Sequence, residues 1–191
     1  AFSAVIVNVL AALLYHAVEV PGAVAGTAGG SALEAGGPVT LSLLVFMLFL
    51  NLVTGAMGEE LGWRGFALPR LQERWNALAS SIILGIIWGV WHLPLWFTGF
   101  GWERMSFWLF TCNCVAMSVI YTWICNNTRG NMVIVTLFHM LYNFGFFLIA
   151  GVWDVPMEKG IAYLAAVLTV YAAILIAVFG AGTLAGRGKP G

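Results

Sequence analysis

Long apolar runs, separated by short connectors rich in Gly, Pro and charge, set the pattern of this chain. Six runs reach or approach the roughly 20 residues that a spanning helix needs. They cover Phe2–Val20, Val39–Gly58 with an extension beyond it, Leu78–Phe97, Ser106–Cys125, Met132–Val152 and Ile161–Gly180. The connector Pro21–Pro38 is rich in Gly, Ala and Ser and reads as a flexible loop. No internal repeat is visible. The pattern predicts one all-α domain over 1–191, a polytopic transmembrane bundle of about six helices.

Composition strengthens this reading. Hydrophobic residues make up 61% of the 191 and charged residues 8%, against about 25% charged in a soluble domain. Nine Trp and thirteen Phe suit the two lipid interfaces. The formal net charge is zero, so there is no electrostatic footprint for nucleic acid. Cys112, Cys114 and Cys125 lack metal-site spacing and read as small buried apolar residues. The chain opens on Ala1, and its first run has no basic flank or clear cleavage site, so it reads as a mature helix with room for helices upstream. Loop cations orient the bundle. Arg64, Arg70, Arg74, Arg129, Arg187 and Lys189 follow even-numbered runs, and Arg104 and Lys159 follow odd ones. The excess places both ends of this sequence, and the region Glu59–Asn76, on the cytoplasmic side of a plasma membrane of bacterial type.

Three places break the apolar pattern: Gly58–Arg64, Trp88–Pro94 and Phe138–Asn143. An ionisable group near the bilayer centre costs about 2.5–3.5 kcal/mol on insertion scales, and groups retained there usually face one another and serve a function. At about 1.5 Å per residue, the three places lie at compatible depths, so they are expected to share one cavity. Glu60 and Arg64 are four residues apart and can pair on one helix face. Glu59, turned about 100° away, is then left available as a base. His139 and Asn143 also share a face, and their side chains can donate to an oxyanion. His92 stands just before Pro94, which denies the Val90 carbonyl its usual amide donor and allows a local opening. The bland alternatives are a surface loop for Glu59–Arg64, a packing histidine at His92, and interhelical hydrogen bonding by His139 and Asn143. Gly85 and Gly89, four residues apart, read as a close helix contact. His16, Glu19, Glu103, Arg104, Asp154 and Glu158 read as interfacial or solvated charges.

The ordered set Glu-Glu-x-x-x-Arg, aromatic-x-x-x-His and His-x-x-x-Asn, each on its own helix, resembles the CAAX protease and bacteriocin-processing enzyme family, also called Abi. These are intramembrane endopeptidases. The resemblance runs from Glu59 to Asn143, within a catalytic core of about 42–150. One departure is Trp88, where the second motif usually opens with Phe. The resemblance implies a core of about eight helices, with Glu59 activating water, His92 helping to hold it, His139 and Asn143 stabilising the oxyanion, and Glu60 and Arg64 supporting the site. It also implies a cytosolic site acting on a peptide or lipidated protein, or a part in bacteriocin maturation or self-immunity. A glutamate-dependent reaction without metal is the favoured expectation. The alternative is a metalloprotease with zinc on Glu59, His92 and His139. A transporter or a non-catalytic immunity or scaffold protein using the same polar cavity is the competing class.

Overall fold

The computed structural model describes residues 2–20, 41–99, 101–152 and 155–186. The predicted Gly-rich connector, Asp154, Arg187 and Lys189 lie outside the described residues. Within them the chain forms α1 (Phe2–Glu19), α2 (41–72), α3 (Ala77–Trp91), α4 (Phe107–Asn127), α5 (Met132–Val152) and α6 (Met157–Phe179). Two short 3-10 turns, Leu93–Phe97 and Trp102–Arg104, join α3 to α4. No strand occurs among the described residues. Val45–Gln72, Ala77–Phe97, Phe107–Asn127 and Met157–Phe179 are long and apolar enough to cross a membrane, and Ser3–Glu19 and Met132–Phe146 are shorter apolar helices.

Helix α2 continues well past Gly58. It alternates α-helical turns with π-helical ones at Asn51–Met57 and Trp63–Ala67, on either side of Glu59 and Glu60. Each π turn takes in an extra residue and rotates the helix beyond it, a distortion that recurs at functional sites. The surface-loop alternative for Glu59–Arg64 is thereby removed. Helix α3 stops at Trp91, six residues before the expected Phe97, because Pro94 cannot donate to the Val90 carbonyl and the chain tightens into a 3-10 turn. Its start is set by Asn76, whose side chain accepts from the Ala79 amide at 2.8 Å.

Small residues decide the packing of α3 on α4. Ser81, Gly85 and Gly89 form one stripe. Ser81 donates to Thr122 at 2.7 Å, and a Cβ added at Gly85 would stand 2.5 Å from the Cα of Val115. Such stripes let helix backbones approach closely inside a bilayer. Helix α4 packs against both α3 and α6 and buries Met117, Ile120 and Tyr121 completely. Helix α1 lies across α5 and α6, with the Asn8 amide donating to the Tyr142 carbonyl at 3.2 Å. Phe46, Phe49, Phe66, Phe97, Trp108 and Val178 point outward, the arrangement of a bundle solvated by lipid.

Two of the cysteines, Cys114 and Cys125, are buried, but Cys112 faces outward. Arg64 is only 1% exposed. It is a core residue, not the loop cation expected, and it leaves the orientation count. The connectors gather at two ends. Gln72 bonds to Asn126, and Asn126 bonds to the Thr183 carbonyl, so Arg70, Arg74 and Arg129 share one end. Lys159 bonds to Glu19 at 2.9 Å and Trp96 to the Met105 carbonyl at 2.8 Å at the other, which carries Arg104.

Candidate active site

Glu60 is fully buried on α2 and forms the hub of the polar cluster. Its Oε1 accepts from Arg64 Nη1 at 3.0 Å, the pairing that the four-residue spacing implied. The same oxygen contacts His139 Nδ1 at 2.8 Å, which joins α2 to α5. Because Oε1 already accepts from the guanidinium, the imidazole donates its Nδ1–H, and its Nε2 is the atom left for chemistry. Arg64 donates in addition to the Ser118 hydroxyl of α4 at 2.9 Å. Its guanidinium carbon lies 4.6 Å from the Trp88 ring centroid and 4.4 Å from that of Tyr121. Such cation–π contacts, with the carboxylate, offset the cost of burying the charge.

Glu59 is not part of that hub. It is half-buried, and its Oε2 accepts from the indole N–H of Trp88 at 2.6 Å. His92 caps the C-terminus of α3. Its backbone N–H bonds to Gly89, three residues back, which frees the Trp88 carbonyl for the His92 side chain. Nδ1 reaches that carbonyl at 2.8 Å. A carbonyl can only accept, so Nδ1 carries the proton and Nε2 faces away as an acceptor. The helix thus opens at the Trp88 carbonyl, two residues before the Val90 carbonyl singled out from the sequence, and this bond fixes the tautomer of His92.

Glu59, His92, His139 and Asn143 all line one cavity of ≈ 250 Å³. Its other walls are largely apolar or aromatic and include Trp88, Trp102, Phe110 and Phe146. Leu95, Met105 and Met157 carry the walls toward the end of the bundle opposite Arg70 and Arg129. Glu59 also lines a second cavity of ≈ 390 Å³, walled by Trp63, Phe66 and Trp91. Two polar residues of the first cavity received no role from the sequence. The Asn113 amide donates to the Tyr142 hydroxyl at 3.1 Å, linking α4 to α5. A lone Asn inside an apolar run was the available signal for Asn113, and Tyr142 stands between His139 and Asn143.

Both histidines give Nδ1–H to other acceptors and keep Nε2 for the cavity, and among the described residues no three His, Cys, Asp or Glu side chains are arranged to hold a metal ion.

Comparison with known proteins agrees with the motif order. Residues 41–145 match the family model described as Type II CAAX prenyl endopeptidase Rce1-like. The chain is 36% identical over 128 residues to CAAX prenyl protease 2 of Methanococcus maripaludis, covering 63% of this chain and 47% of the archaeal protein. The chain thus spans about half the length of that curated relative. With more than half of its residues matched, and with all three polar motifs inside the matched segment, the chain belongs to the Rce1-like family of type II CAAX prenyl endopeptidases.

Proposed function

We propose that this chain is the catalytic core of an intramembrane endopeptidase in which Glu59 activates water. The observation that carries the reading is the convergence of Glu59, His92, His139 and Asn143, from three helices, on one mostly apolar cavity. Water sits between the Glu59 carboxylate and His92 Nε2, and Glu59 removes its proton. The hydroxide oxygen bonds to the scissile carbonyl carbon, and the carbonyl electron pair moves onto its oxygen. His139 Nε2–H and the Asn143 amide stabilise that oxyanion. Since Nδ1–H of His139 is given to Glu60, donation from Nε2 requires a ring that carries both protons. Glu59 then passes its proton to the departing amine nitrogen as the C–N bond breaks. No step runs through a metal.

The substrate we infer is the C-terminal tail of a lipidated protein, by analogy with the name of the archaeal relative. The apolar walls suit the aliphatic side chains of such a tail, and the aromatic second cavity beside Glu59 lies where a lipid-borne segment could approach. A tail made and lipidated in the cytoplasm must reach the cavity from that side.

The test is cleavage of a farnesylated CaaX peptide in proteoliposomes by the wild type and by Glu59→Gln. Loss of cleavage in the variant is expected, and unimpaired cleavage would overturn the assignment of the base. Ion or solute flux through wild-type liposomes without cleavage would favour the transporter reading. Cleavage of an unlipidated leader peptide instead would point to bacteriocin maturation.

A further inference from the structure

Trp88 touches both groups assigned to the water, and does so with different atoms. Its indole N–H donates to Glu59 Oε2 at 2.6 Å, and its backbone carbonyl accepts from His92 Nδ1 at 2.8 Å. We propose that Trp88 is the positioning residue of this site, its indole N–H aiming the Glu59 carboxylate into the cavity while its carbonyl aims the His92 ring. The proposal rests on the reading of Glu59 as the base.

The indole is itself held firmly. Trp88 is 5% exposed. The Arg64 guanidinium lies over its ring, and the rings of His139 and Tyr121 meet it at 5.5 and 6.1 Å. The next residue, Gly89, brings α3 so close to α4 that an added Cβ would meet Thr111 at 2.9 Å. Glu59, by contrast, is half-buried and lines both cavities. A glutamate has three rotatable bonds, and a short bond from a locked donor selects one of its orientations. Without that donor, the carboxylate is free to turn toward Trp63, Phe66 and Trp91.

Trp88→Phe removes the N–H and keeps both an aromatic ring and the carbonyl that holds His92. Its kcat on the farnesylated peptide is expected to fall about tenfold or more, with KM within about twofold, because a charge-assisted hydrogen bond that orients a reacting group is lost. Unchanged kcat would overturn the proposal. The bond has its own signature in the chain labelled with ¹⁵N-tryptophan in micelles. The resonance missing from Trp88→Phe should lie downfield of the indole of Trp96, which donates to a neutral carbonyl, and should move upfield in Glu59→Ala. A Trp88 resonance indifferent to Glu59→Ala also overturns it, whether or not Trp88→Phe folds. If Glu59→Gln cleaves normally while the indole still reports Glu59, it is the assignment of the base that fails.

Discussion

At the scale of single residues, Glu60 has the widest reach. Its spacing from Arg64 is visible in the sequence, but its bond to His139 spans 79 positions, and no periodicity encodes it. Glu60 is therefore more than a counter-ion, since it also fixes which nitrogen of His139 faces the cavity. Glu60→Ala leaves Arg64 buried without its carboxylate, and breaking such a pair typically costs about 3–5 kcal/mol. A markedly lower unfolding temperature in detergent is the expected result, with Glu60→Gln falling between that variant and the wild type. Asn143 is half-buried and lines the cavity. Asn143→Ala should leave the unfolding temperature nearly unchanged and lower kcat by about 10²–10³, the usual effect of removing one oxyanion donor. Peptide cleavage at saturating substrate measures it.

At the scale of elements, helix α3 carries the decisive features. Pro94 was legible as a helix breaker, but not the outcome that the freed Trp88 carbonyl would take the His92 side chain. Pro94→Ala should let α3 run on, return the His92 amide to the Trp88 carbonyl and displace Nδ1. Activity is expected to drop well below that of the wild type while helical content by circular dichroism stays level or rises. Gly85 faces a backbone atom, not a flexible side chain, so Gly85→Ala must push α3 from α4. A loss of about 1–3 kcal/mol is expected from such overpacking, measurable as a lower unfolding temperature. Helix α2 outruns its hydropathy signal because an apolar run ends at the first charges, whereas Glu59, Arg64 and Glu60 each find a hydrogen-bond partner on α3, α4 and α5 respectively.

At the scale of the whole molecule, the burial of Arg64 changes the case for orientation. It leaves Arg70, Arg74, Arg129, Arg187 and Lys189 after even-numbered runs against Arg104 and Lys159 after odd ones, a smaller excess with the same sign. The walls of the cavity continue toward the end that carries Arg104. The second cavity beside Glu59 continues the other way, past Phe66 and Ala67 toward the end that carries Arg70, which the excess of loop cations predicts to be cytoplasmic. In cells, Arg129→Cys should react with an impermeant maleimide only after the cytoplasmic face is exposed, and Arg104→Cys should react from outside. The opposite labelling would overturn that orientation and make the Arg104 end, toward which the first cavity runs, the cytoplasmic one.

The sequence by itself determined that the chain is helical and lipid-solvated, and which polar residues are the candidates for chemistry. Composition, helical spacing and the cost of intramembrane charge are local properties, and each can be read along the chain one segment at a time. The tertiary structure alone decided the partners. It gave Glu60 to His139, the indole of Trp88 to Glu59, Ser118 to Arg64, and Tyr142 to Asn113. Those bonds join residues on different helices, and their geometry depends on how closely a stripe of small residues lets the backbones approach. That distance is a property of the packed bundle, and no single helix contains it.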